Sequence, residues 1–207
     1  MPRNLLRPAV VMTLLLCLLT GLIYPGVVTG VAQLLFTWQA NGSLVERDGH
    51  VVGSALIGQS FTRPEYFHSR PSAAGAGYDA TASAGTNEGP TDRKLADTLI
   101  AGNVARVVEE DGAVRGRIPA DMVTASASGL DPHISPANAE LQVARVARSR
   151  GLSEDRVRAV LRAHTEGRQF GFLGERRVNV LLLNLALDSV APVRAAASAA
   201  TPTTSSR

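Results

Sequence analysis

Thiols are nearly missing from this chain: Cys17 is the single cysteine among 207 residues. One cysteine excludes an intramolecular disulfide and a thiolate-held metal cluster. A domain facing an oxidising compartment must then rely on its core for stability. Lysine is as scarce, since every basic residue except Lys94 is an arginine. No G-x-x-x-x-G-K-[ST] occurs, and Lys94 does not supply one, so the chain has no phosphate-loop ATPase site of its own. Aromatic residues make up 4%. The pI is near 9.6, yet 21 basic and 18 acidic residues are interspersed. Without a basic stripe carrying aromatics, nucleic acid is not an expected partner. His50, His68, His133 and His164 fall at no zinc-like spacing, so no metal site is expected.

Charge is also missing from one long stretch, Pro8 to Val45. Its inner part, residues 9–35, reads AVVMTLLLCLLTGLIYPGVVTGVAQLL. About 20 apolar residues cross a bilayer, so this run spans with length to spare. A cleaved signal peptide is the competing reading, with Gly30-Val31-Ala32 as a loose cleavage site. A signal core of about 7–15 residues is much shorter, which favours a retained anchor. Arg3 and Arg7 precede the run, while Glu46, Arg47 and Asp48 after it nearly cancel. The basic flank predicts a cytoplasmic N-terminus and places residues after about 40 outside the cell membrane. The expected organisation is a cytoplasmic N-terminus over 1–8 and a transmembrane helix over 9–36, kinked near Pro25. An extracytoplasmic domain follows over 40–190, and a disordered Ala/Ser/Thr/Pro tail over 191–207. The fold class is one N-terminal transmembrane helix followed by a single mixed α/β (α+β) extracytoplasmic domain. Roughly 145 residues remain for that domain, enough for its own core.

Small and polar residues break the greasy run. Thr13, Cys17, Thr20, Gly21 and Tyr24 share one helical arc before Pro25, and Gly26 and Gly30 form a G-x-x-x-G after it. Such spacing lets another helix approach closely. Trp38 suits the outer interfacial belt.

Beyond the span, SLVERDGHVVGSALI (43–57) predicts a hairpin around Arg47-Asp48-Gly49. Residues 58–90 show no helical period, and Phe61, Tyr66 and Phe67 predict an ordered, anchored loop. Thr91-Asp92 predicts a helix start, with Leu95, Leu99, Ile100, Val104, Val107 and Val108 as its apolar stripe and an end before Gly112. Residues 121–128 read as extended. Ser135-Pro136 predicts a helix to about Arg150, and Ser153 a second one ending near Gly167. VNVLLLNLALDSV (178–190) reads as a last buried helix.

Chemical motifs fail on context. Gly75-Ala-Gly-Tyr-Asp-Ala80 matches a dinucleotide fingerprint in letters, but loop flanks it on both sides. Ser126 and Ser128 stand near Asp131 and His133, without the glycine a nucleophile elbow needs. Asp131-Pro132 reads more simply as an Asx turn. No catalytic residue is expected; a membrane-anchored serine enzyme using Ser126 or Ser128 is the alternative.

The segments without a chemical reading resemble one family. PSAAG (71–75), GTNEGP (85–90), VTASASGLDPHIS (123–135), HTEGR (164–168), FLGERRVNVLLLNLALD (172–188) and LLTGLIYPGVVTGVAQLLF (18–36) together resemble the C subunit of the Kdp-type potassium-transporting ATPase. The resemblance covers about residues 8–188. It implies a non-catalytic, single-pass subunit of a potassium uptake pump in the cell membrane. The implied partners are a channel-like A subunit, a P-type ATPase B subunit, a small F subunit and membrane lipid. ATP and potassium would be handled by the complex, with no cofactor held firmly by this chain. The implied role is assembly of the complex and a rise in the ATP affinity of the B subunit, as a catalytic chaperone. Carried over as motif turns of unassigned role are Ser128, Gly129, Leu130, Asp131, Pro132 and His133, with Thr165, Glu166 and Gly167. Expected transmembrane packing positions are Thr13, Cys17, Gly21, Gly26 and Gly30.

Overall fold

A long apolar helix and an α+β domain make up the chain, in a computed structural model that describes residues 5–192. Arg3 and the expected tail from 193 onward lie outside the described residues. The chain divides into two compact units, one ending at Ser54 and the other beginning at Ala55.

In the first unit, helix continues from Leu6 to Leu35 with a mean hydropathy of 2.2, long and apolar enough to cross a membrane. It comprises α1 (Leu6–Leu18), a π-helical turn (Leu19–Ile23) and α2 (Tyr24–Leu35). The π turn ends against Pro25, which has no N–H to donate and whose ring crowds the carbonyl four residues back. Widening the turn relieves that crowding, and Tyr24 N donates to Leu19 O. The Thr20 hydroxyl donates to Leu16 O at 2.7 Å, so its polar atom is satisfied within the helix. A short turn, α3 (Thr37–Ala40), precedes the hairpin of β1 (Leu44–Arg47) and β2 (His50–Ser54). Asp48 (φ 53°) and Gly49 (φ 78°) form its turn, the left-handed pair a two-residue hairpin requires. Trp38 Nε1 donates to Leu44 O at 2.9 Å.

The second unit is built around α5 (Pro136–Arg150). Ser135 caps it by accepting from Asn138 N, and Gly151 ends it at φ 65°. Ala139, Val143 and Val146 recur on one face and are fully buried. Against them pack Val157 and Leu161 of α6 (Glu154–Ala163) and Leu183 and Leu187 of α7 (Val180–Val190), with Phe67 from the long loop. A smaller cluster joins Val107 of α4 (Ala101–Asp111) to Met122 and Val123. A three-stranded antiparallel sheet of β3 (His133–Ile134), β4 (Thr165–Glu166) and β5 (Arg177–Asn179) runs in the order β3-β5-β4.

Four local expectations change. Helix over 178–190 splits, because Asn179 turns its side chain to accept from Leu182 N and so caps α7, leaving Val178 in the central strand. The helix expected to reach Gly167 stops at Ala163, because Thr165 and Glu166 pair with Val178 and Arg177. The 121–128 stretch begins in a 3-10 turn, Ala120–Met122, not a strand. Asp121 holds that turn by accepting from Ser135 N at 2.7 Å, Ser135 Oγ at 3.0 Å and Asn138 Nδ2 at 3.0 Å, at the positive end of the α5 dipole. The stripe over 95–108 buries only Val107 fully, and its first part, Lys94–Ile100, is π-helical. Asp92 Oδ1 does accept from Lys94 N at the helix start.

Candidate functional site

The two motif turns meet at the sheet. His133 and Ile134 pair with Asn179 and Val178 along one edge of β5, while Thr165 and Glu166 pair with Val178 and Arg177 along the other. Two segments about 30 positions apart thus share one strand, whose last residue caps the buried helix α7.

Ser128-Gly129-Leu130-Asp131-Pro132-His133 also staples the long loop. Gly58 N donates to Leu130 O (2.8 Å), Ala84 N to Ser128 O (3.1 Å) and Ser72 Oγ to Gly129 O (2.6 Å). Gly129 stands at φ +67°, and a Cβ there would lie 2.6 Å from Ala84 O and 2.7 Å from Ala74 N. Only glycine fits both the conformation and the space.

Asp131 is the electrostatic centre of this turn. Its Oδ1 accepts from His133 N at 2.9 Å, the expected Asx turn, and its Oδ2 from Arg70 Nη1 at 3.1 Å. Burial pushes the carboxyl upward, but hydrogen bonds from His133 and the Arg70 charge outweigh it and hold the group below the usual carboxylate range. Tyr78 donates to Arg70 O at 2.7 Å, and burial raises its phenol to about 12.

This arrangement positions backbone; it does not assemble a nucleophile. Ser128 Oγ accepts from Leu130 N at 3.1 Å, and among the described residues no histidine is hydrogen-bonded to Ser126 or Ser128. The fingerprint-like Gly75–Ala80 folds as a local turn, with Gly77 N and Asp79 N both donating to Ala74 O. Among the described residues no group of His, Cys, Asp or Glu is placed to hold a metal ion.

Thr165 and Glu166 lie on the exposed edge. Thr165 Oγ1 donates to Leu161 O at 2.7 Å, and Arg177 Nε reaches Glu166 Oε2 at 2.7 Å. Gly167 is exposed with open space around it. In the first unit, Thr13 and Cys17 lie on α1, Gly21 in the π turn, and Gly26 and Gly30 on α2; all five are exposed.

Sequence reasoning missed the polar side chains that read the loop backbone. Gln142 Oε1 accepts from His68 N (2.7 Å), and its Nε2 donates to His68 O (3.1 Å). Arg145 donates to the carbonyls of Pro64 and Tyr66 and pairs with Asp111 at 2.7 Å, its side chain 7% and its partner's 3% exposed. Arg150 donates to Glu65 O and pairs with Asp188 at 2.9 Å, lying over the Tyr66 ring. The available signal was Asn184, a lone amide in the apolar run of α7, and the polar row Asn138, Gln142 and Arg145 at helical spacing on α5.

Comparison with known proteins decides the family. The family described as K+-transporting ATPase, c chain (KdpC) matches residues 6–189. The chain belongs to the KdpC family. It is 69% identical over 186 residues to the potassium-transporting ATPase KdpC subunit of Gemmatimonas aurantiaca, covering 89% of this chain and 92% of that one. The KdpC subunit of Koribacter versatilis is 56% identical over 193 residues, covering 93% and 98%. That of Rhodospirillum rubrum is 55% identical over 188 residues, covering 91% and 97%. The family match takes in both the apolar helix and the α+β domain, so the KdpC assignment applies to both units.

Proposed function

We propose that this chain is the non-catalytic stabilising subunit of an ATP-driven potassium uptake pump. Its helix packs among the pump's membrane helices, and its domain stands on the extracytoplasmic side against the channel-like A subunit. The observation that carries this reading is the uncovered helix. Among the described residues, every one from Leu6 to Leu35 except half-buried Ala32 is exposed, and Gly26 and Gly30 sit four apart on one face of α2 with open space around each. KdpC membership supplies the pump as the surrounding protein.

A role in raising the ATP affinity of the B subunit must then act at a distance. Nucleotide is cytoplasmic, and Arg7 before the span with a nearly neutral flank after it favours the domain outside. A domain across the bilayer influences ATP binding only by favouring one of two pump conformations through the helices it packs against.

Two measurements test this. A cysteine at Ser128 in a Cys17→Ser background should react with an impermeant thiol reagent only from the extracytoplasmic side; labelling from the cytoplasm alone overturns the placement. Pump lacking this chain, or carrying it with Gly26→Leu, should need a higher ATP concentration for half-maximal hydrolysis. An unchanged requirement removes the ATP-affinity role.

A further inference from the structure

The loop between β4 and β5 carries the most exposed aromatic residues of the second unit. Phe170 is 86% exposed, Phe172 71% and Leu173 47%. Free apolar side chains on a slack loop would fold back on the surface, but this loop is closed. Gln169 and Leu173 exchange two backbone hydrogen bonds of 2.9 Å, Gly171 N donates to Arg168 O, and Phe172 N to Gln169 O. Gly171 and Gly174 take positive φ, and Phe170 does so as well (φ 52°), a conformation uncommon for an aromatic residue. The backbone thus spends strain on holding two rings away from the domain that carries them.

We propose that this tip is a docking knob for an apolar pocket on another chain of the same ATPase. The proposal rests on the subunit reading above. Preorganised aromatic anchors are what tight protein contacts use, because little ordering remains to be done on binding. The charges around the tip favour protein over lipid. Arg168 is paired with Glu175 and Arg177 with Glu166, so two carboxylates flank the rings. Arg176 has no ion-pair partner among the described residues, but it lines a groove with Asp121, Asp131 and Glu175, so the tip carries no excess of positive charge. A surface that docks on anionic lipid carries a clear excess of basic residues, and interfacial anchors are typically Trp and Tyr. Two exposed phenylalanines flanked by paired charges fit an apolar socket on a protein.

The test uses the whole pump, purified from membranes through a tag on this chain. With photoreactive benzoylphenylalanine at position 172, irradiation should join this chain to another ATPase chain, identified by mass spectrometry. Adducts on lipid alone, or none, overturn the proposal. The double variant Phe170→Asn/Phe172→Ser should recover at least tenfold less of the other ATPase chains at unchanged melting temperature of the variant chain itself. Undiminished recovery also overturns it. Wild-type recovery separates the two readings: if the untouched chain brings down no ATPase, the subunit assignment fails with the knob, whereas normal recovery without a crosslink removes the knob alone.

Discussion

Asn184 closes a two-point clamp on the backbone of Phe67, accepting from its N–H at 2.9 Å and donating to its carbonyl at 3.0 Å. Both residues are buried, 117 positions apart. The amide serves as the missing neighbouring strand for a loop residue whose ring fills the core. Asn184→Leu removes both partners and leaves two buried polar groups unpaired, each costing about 1–3 kcal/mol. The expected loss is about 2–6 kcal/mol by denaturant unfolding of the full chain in detergent; a loss no larger than that of a surface substitution would show that the clamp does not stabilise the fold.

Gly129 and Gly167 both belong to family-motif turns, and they should behave differently. Gly129→Ala meets backbone at 2.6 Å while held at φ +67°, whereas a Cβ at Gly167 meets nothing within 4 Å. Overpacking alone costs about 1–3 kcal/mol, with about 1 kcal/mol more for the left-handed backbone. Gly129→Ala should lower the melting temperature markedly and Gly167→Ala scarcely at all.

The Arg145–Asp111 pair ties α5 to the end of α4 in a site closed to solvent. Breaking a buried pair from one side strands the other charge, at a cost of about 3–5 kcal/mol. Asp111→Asn should therefore destabilise strongly, and Arg145→Met with Asp111→Leu should recover much of the loss. Equal destabilisation by single and double variants would mean that Arg145 acts through the Pro64 and Tyr66 carbonyls rather than through the pair.

His68 gives the domain a pH dependence. Burial and the Arg145 charge lower its pKa from 6.5, against an opposing pull from Glu110, 3.4 Å from its Nδ1, and Asp111. A folded-state value below the unfolded one means that the unfolded chain binds more protons in between. Stability is then full above about pH 6.5 and falls as pH drops through the lowered value. Urea midpoints of wild type should decline below pH 6.5, and His68→Gln should flatten that decline. An identical slope in the variant assigns the effect elsewhere.

Legibility from sequence followed physical range. The apolar helix, the β1–β2 hairpin and the starts of α5 and α6 are written in local periodicity, turn residues and caps such as Ser135 and Ser153. The strand at Arg177–Asn179 was hidden, because the apolar positions of VNVLLLNLALDSV run on from strand into helix and only a cap at Asn179 divides them. The two-residue strands β3 and β4 have too little sequence to show a period of two. In residues 58–90 the expected aromatic anchoring is carried by Phe67, which is fully buried, with Phe61 packed against the same core and Tyr66 half-buried. What orders them was not readable: Gln142, Asn184, Arg145 and Arg150 are polar residues on helices, and their partners are backbone atoms far away in sequence. The motif turns were locatable by resemblance, but their meeting on β5 required the fold.

The seam on α2 makes a direct prediction. Gly26→Leu or Gly30→Leu should weaken association with the other pump subunits by an order of magnitude or more, while the second unit keeps its unfolding midpoint. Unchanged association would remove the glycine face from the contact.

The most direct test of the subunit reading is purification of the tagged chain from membranes of cells that make the whole pump, followed by assay of ATP hydrolysis with and without potassium. The account predicts a multi-chain assembly whose hydrolysis is stimulated by potassium and lost when the chain is omitted. A lone monomer with no associated ATPase would contradict it.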